Sequence, residues 1–370
     1  MERLKGTAAV ICEFNPFHYG HRHLLTEAKK KYATVFGIMS GNLIQRGGNA
    51  CCDKYLRAAA AVECGFDGVL ELPFPFSSLS ARDFARAGVY IAEKTGIETL
   101  FFGAEDVEAV TQAKDIVCAD GYEQEISEYI KREKNLSYPK AAEAVLARHL
   151  GAEKAKSLSR PNNILAIEYI KAASKNGVLN IDIIKRAEIF ASAGSIRYLG
   201  VPTEKLPEKA RPFFENAIPD GSVLPFAAVA AKLYNGDKAM LYGIDESLAG
   251  RITKACREAG DYKELLEMCK GANETDSRIR RAFLSILFGI TKYQAAEMPT
   301  YTLLLAANKE TTPVVKAMAK QSEITLCAKP YDLVGNKQFE NSLRAERVLR
   351  QIMNLPDPLR RIPYIKGEKQ

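Results

Sequence analysis

The apolar run Ala8 to Cys12 stops at Glu13-Phe-Asn-Pro-Phe-His18-Tyr-Gly20-His21-Arg-His23, and from Leu24 to Lys31 the apolar spacing becomes helical. A short buried strand, a tight turn and a helix so close together leave the chain few choices. The strand must enter a sheet and the helix must pack back across it, as in the first half of a βαβ unit. Three of the four histidines fall within six residues of this turn. Gly20 removes a Cβ that would hold a ligand off the backbone, and the free N–H groups at the helix start can face an anion. The imidazoles of His18 and His21, one turn apart, can donate to the same phosphate oxygens. The segment reads as a nucleotide phosphate site in which the histidines hold charge at phosphorus and need not act as bases.

Two other readings compete. Histidines at a helix start can simply satisfy local hydrogen bonds. A metal site would need ligands at suitable spacing, but His23 points to a different helix face from His21, and no Cys or carboxylate stands nearby at zinc-like spacing. No metal is assigned.

At 370 residues the chain can build two cores, and 47% apolar with 26% charged residues is ordinary for a globular protein. No apolar stretch approaches the roughly 20 residues of a membrane span, so no membrane partner and a cytoplasmic location are expected. The eight scattered cysteines, with no Cys-x-x-Cys, read as reduced and mostly buried. A net charge of +7 leans toward polyanions without distinguishing nucleic acid from small phosphorylated substrates.

Over the first two hundred residues, short apolar runs alternate with helical patterns. Strands are predicted at Ala8 to Cys12, Thr34 to Met39, Gly68 to Leu72, Thr99 to Phe102 and Leu179 to Lys185. This is an α/β pattern, a Rossmann-like parallel sheet whose strand ends should meet over one crevice. After about Pro207 the pattern is mainly α-helical, with one exception, a β-α-β unit from Tyr301 to Ala328 expected to pack on the helices. The prolines between Gly200 and Pro212 suggest a boundary between a domain at 1–205 and a helical C-terminal domain at 206–370.

Further candidates follow from residue type. Ser192, Ser195 and Arg197 can contact phosphate at a short helix start, or form an ordinary cap. Gln45, Arg46 and Asp53 lie in or beside a glycine-rich loop suited to substrate, although Asp53 would also cap the next helix. Asn162 and Asn163 read as a helix cap or as amides facing an adenine edge. Arg278, Arg280 and Arg281 cluster at one helix start, while Arg344, Arg347 and Arg350 recur every third residue, a stripe that can track phosphates or simply be solvated.

Taken together, Glu13 to His21, Ser40-Gly-Asn-Leu-Ile-Gln-Arg-Gly, Glu71-Leu-Pro, Phe101-Phe-Gly103, Arg160-Pro-Asn-Asn, Ile184-Lys-Arg186 and Ala191-Ser-Ala-Gly-Ser-Ile-Arg197 resemble the HIGH-type nucleotidyltransferases, and more closely the bacterial tRNA(Met) cytidine acetate ligases. The resemblance extends through Ser277-Arg-Ile-Arg-Arg to Phe288-Gly-Ile, and so covers nearly the whole chain. It implies activation of acetate with ATP to acetyl-adenylate, with Mg²⁺ accompanying the ATP, then acetylation of N4 of the wobble cytidine of elongator tRNA(Met). It also implies ATP-binding positions at Ile11, Cys12, Glu13, Phe14, Asn15, Pro16, Phe17, His18, Tyr19, Gly20, His21, Arg22, His23, Leu24, Gly103, Asn162 and Arg186, with His18 and His21 toward the triphosphate as catalytic residues. The chain departs from the family pattern in a shorter segment between Arg186 and Ser192, in Gly194, and in Ala166. Two alternatives keep part of this reading: a small-molecule adenylyltransferase of cofactor metabolism, and a non-catalytic nucleotide-dependent RNA-binding protein.

Overall fold

The computed structural model describes residues 2–133, 136–187, 190–271 and 274–367. Its strands are β1 (Leu4–Cys12), β2 (Thr34–Ser40), β3 (Leu43–Ile44), β4 (Gly48–Asn49), β5 (Gly68–Leu72), β6 (Ile97–Ala104), β7 (Asn180–Lys185), β8 (Tyr301–Asn308), β9 (Thr325–Cys327) and β10 (Tyr364–Lys366). β3 and β4 form a small hairpin, and the others build one sheet in the order β10-β8-β5-β2-β1-β6-β7, with β9 also on β8. Parallel pairing of β1 with β2 on one side and β6 on the other makes β1 the strand at which the winding direction reverses. In such sheets the crevice lies outside the carboxyl ends of the strands, here between β1 and β6. Each of the five strands predicted in the first two hundred residues is present in this sheet.

β1 is central because it can be buried on both faces. Ala9 and Ile11 enter the core on one face, against helix Ala81–Lys94, while Ala8, Val10 and Cys12 enter the core on the other, against helices Tyr19–Lys29 and Lys54–Glu63. Four helices lie between β6 and helix Pro161–Ser174, namely Val107–Cys118, Tyr122–Arg132, Tyr138–Leu150 and Ala152–Leu158. Among the described residues no helix is long and apolar enough to cross a membrane.

The C-terminal half departs from expectation. β8 packs through Tyr301 on helix Lys337–Met353, but it also pairs antiparallel with β5 and carries β9 and β10 into the main sheet. Tyr301 to Ala307 are all buried, and an apolar run of that kind needs cover on both faces, which the main sheet supplies. The boundary at 205/206 therefore does not separate two cores. Leu304, Met318 and Leu349 share one core with Ala9, whereas a separate helical core runs only from Ala227 to Ile286. The helical part is better described as an insertion between two contributions to one sheet.

Candidate active site

Helix Tyr19–Lys29 begins at the carboxyl end of β1 with His18 as its N-cap. His18 Nδ1 accepts from the Gly20 N–H at 3.0 Å, and His21 Nδ1 accepts from the His18 N–H at 3.3 Å. This reciprocal pair is a capping box made by two histidines in place of Ser and Glu. The His18 ring crosses so close to Gly20 that a Cβ there would stand 2.8 Å from Cε1, so only glycine fits. The rings of His18 and His21 lie 3.9 Å apart between centroids, and Phe14 sits edge-on to His21 at 5.1 Å.

The caps fix the protonation chemistry. Burial, then the charges of Arg186 and Arg197, hold His18 down at about 4. Burial, His18 and Arg186 hold His21 well below the usual imidazole range. Both rings are therefore neutral near pH 7, and since each Nδ1 accepts a hydrogen bond, each proton resides on Nε2. Local hydrogen bonding and ligand binding are thus not alternatives: the first uses Nδ1 and leaves two Nε2–H donors on neighbouring rings.

Two arginines complete the electropositive setting. Arg186 follows β7, and its stem lies against Gly103 at the end of β6, where a Cβ would come within 2.9 Å of Arg186 Cγ. Leu24 packs against the same glycine. Arg197, on helix Ala193–Tyr198, donates to the Asn15 carbonyl at 2.5 Å and pairs with Asp220 at 2.9 Å. Beneath them lies a residue that the sequence did not single out. Arg57, fully buried, donates to the carbonyls of Cys52 at 3.0 Å, Glu13 at 2.6 Å, Ser40 at 3.2 Å and Gly41 at 2.5 Å. It joins the ends of β1 and β2 without a carboxylate partner among the described residues, so its charge adds to the field under the turn.

The remaining candidates divide. Within Ile11 to Leu24, the side chains of Ile11, Cys12, Phe14 and Phe17 are core, leaving their backbone for a ligand. Pro16 is buried, Arg22 is exposed, and Tyr19 and His23 border Phe190 at 6.2 and 6.1 Å. Asn162 donates to Glu105 at 2.5 Å, while Asn163 is fully buried and accepts from the Glu105 and Asp106 N–H groups. Asn163 thus organises the loop after β6, and the adenine-edge reading is withdrawn for it. Ser192 caps helix Ala193–Tyr198 by accepting from Ser195 N–H at 3.1 Å, and Ser195 Oγ returns a bond to the Ser192 carbonyl. Part of the shortened segment between Arg186 and Ser192, residues 188 and 189, lies outside the described residues.

The 40–53 loop is packed against protein. Asn49 donates to Pro219 and accepts from Val223, Ile218 donates to Cys51, and Gln45 bridges Glu13 and Arg281. Arg46 is exposed. Asp53 caps helix Lys54–Glu63 and pairs with Arg361. Next to it Lys54 is buried between Glu71 at 2.7 Å and Glu346 at 3.2 Å. Two of the arginines expected to contact tRNA have partners within the protein. Arg278 pairs with Asp245 and Glu274, and Arg281 is held by the Gln45 carbonyl. Arg280 makes no ion pair among the described residues. Arg344, Arg347 and Arg350 are exposed along helix Lys337–Met353, with no acidic partner among the described residues. No group of three or more His, Cys, Asp or Glu among the described residues is placed to hold a metal ion.

A parallel sheet with paired histidines and arginines at its carboxyl edge defines a nucleotide-binding α/β protein of the nucleotidyl-transfer kind. Residues 6–360 match the HIGH Nucleotidyl Transferase family model, and the chain belongs to that family. Among its relatives, the tRNA(Met) cytidine acetate ligase of Caldanaerobacter subterraneus subsp. tengcongensis is 30% identical, over 92% of this chain and 93% of that one. The Streptococcus agalactiae protein of the same name is 31% identical over 85% and 86%. The crystal structure of Thermotoga maritima TmcAL bound with alpha-thio ATP superimposes with a TM-score of 0.89 at 26% identity, covering 99% of each chain.

Proposed function

We propose that this chain is an ATP-dependent ligase that activates acetate and acetylates N4 of the wobble cytidine of elongator tRNA(Met), as the names of its relatives indicate. The observation that carries the first step is the pair of neutral imidazoles whose Nδ1 atoms are committed to the backbone. Their Nε2–H groups, with Arg186 and Arg197, face an α-phosphate that an acetate oxygen attacks. The bond from the α-phosphorus to the bridging oxygen breaks, pyrophosphate leaves with the bond electrons, and a reactive mixed anhydride remains. Donors that are already oriented stabilise the charge that builds at phosphorus without reorganising. Mg²⁺ enters with the triphosphate. In the second step N4 attacks the acetyl carbonyl, AMP departs and the N4 proton passes to solvent. Cytidine's amine is a weak nucleophile, so positioning and exclusion of water supply the rate. The exposed stripe Arg344, Arg347 and Arg350 supplies phosphate contacts for the tRNA, and the cytoplasm is the compartment in which both substrates meet.

Acetate-dependent exchange of labelled pyrophosphate into ATP tests the first step. His18→Asn and His21→Asn should each lower it about 10²- to 10³-fold, the usual cost of one such donor, and leave tRNA binding intact. Exchange that proceeds equally well without acetate would show a different acceptor.

A further inference from the structure

We propose that Tyr198 is the stacking platform for the acceptor base, a single-stranded pyrimidine of RNA. This rests on the acetylating function above. Four consecutive residues at the end of helix Ala193–Tyr198 point in three directions. Ile196 is buried in the core, Arg197 reaches the nucleotide turn at Asn15, and Tyr198 and Leu199 face solvent, 91% and 60% exposed. Among the described residues Tyr198 is the most exposed of the large apolar side chains, and it makes no hydrogen bond or ring contact with them. The backbone around it is nonetheless closed. Gly200 N–H donates to Arg197 at 3.0 Å, Val201 N–H donates to Ile196 at 3.0 Å, and Val201 is itself buried. An aromatic ring held in water by an ordered turn is pre-positioned, not frayed.

Its neighbourhood says what would cover it. Arg197, the preceding residue, is close enough to His18 to depress that imidazole, so the segment borders the centre where the anhydride forms. Phe190, in the same segment, stacks at 22° on Tyr19, the first residue of the histidine helix. One ring of the segment is thereby spent on the protein and the other is left open. The acceptor must bring an exocyclic amine to the anhydride from an unpaired loop, and proteins hold unpaired bases chiefly by stacking them on aromatic side chains beside a cationic group. An open tyrosine ring, on a helix that Arg197 ties to the nucleotide turn at Asn15, meets the stacking part of that requirement at the rim of the phosphate site.

The test uses the full-length protein with unmodified elongator tRNA(Met), comparing Tyr198→Ala, Tyr198→Leu and Tyr198→Phe. Loss of one stacked base should lower kcat/KM for tRNA acetylation about 5- to 150-fold in the Ala and Leu variants. The Phe variant should stay near the parent value, and acetate-dependent pyrophosphate exchange should be unchanged in all three. Normal acetylation by Tyr198→Ala, full rescue by Leu, or exchange falling in step with acetylation would each overturn the assignment. If the parent protein exchanges but acetylates no tRNA, the acceptor reading itself fails, and the role of Tyr198 fails with it.

Discussion

Replacing His18 with asparagine should make the protein less sensitive to acid, even though it removes a residue of the site. The His18 ring is 4% exposed and is held at about 4, against 6.5 for an ordinary imidazole. Between these values the unfolded chain binds a proton that the folded chain refuses, so stability rises with pH in this window. The penalty is absent above the unfolded value and grows as pH falls toward the folded one. From the two values it amounts to about 2 kcal/mol between pH 7 and pH 5. Asparagine retains an oxygen that can accept from the Gly20 N–H, so the helix keeps its cap while the titrating group is lost. Urea unfolding of both proteins at pH 7 and pH 5 gives the double difference, in which the carboxylates cancel and His21, held down first by its own burial, stays low in both proteins. The parent should lose about 2 kcal/mol more than the variant. Equal losses would show that His18 is not held neutral by burial, and the assignment of its proton to Nε2 would fall with it.

Arg57→Met should cost about 3–5 kcal/mol in urea unfolding, because it strips four buried or part-buried carbonyls of their donor. Lys54→Met should cost a similar amount by leaving Glu71 and Glu346 facing each other without a cation, and a silent variant would show that the pair is not ionised. Gly103→Ala should push Arg186 aside and raise KM for ATP about tenfold without changing the unfolding midpoint. Arg344→Ala and Arg347→Ala should each reduce the slope of log tRNA affinity against log salt by slightly less than 1, and an unmoved slope would leave the stripe as solvated surface.

The strand-turn-helix at Ala8 to Lys31 was legible because its physics is local. Five apolar runs between polar turns likewise predicted β1, β2, β5, β6 and β7. What stayed hidden depends on partners distant in sequence. Nothing within Tyr301 to Ala307 says that it lies antiparallel beside β5, and nothing in Asp276 to Phe288 shows that Asp245 and Glu274 occupy Arg278. Arg57 was invisible for the same reason: an arginine before an alanine run reads as surface until the carbonyls of two strand ends converge on it. The histidine pair was found, but the division of labour between Nδ1 and Nε2 emerged only with the capping geometry.

Activation, transfer and acceptor are joined in one protein, and a single assay addresses all three. Purified protein is incubated with ATP, acetate and unmodified elongator tRNA(Met), and the tRNA is digested to nucleosides for mass analysis. One acetylated cytidine per tRNA is expected, formed only when both ATP and acetate are present and lost with His18→Asn. Unmodified cytidine alongside active acetate-dependent exchange would contradict it, and would assign the activated acetyl group to another acceptor.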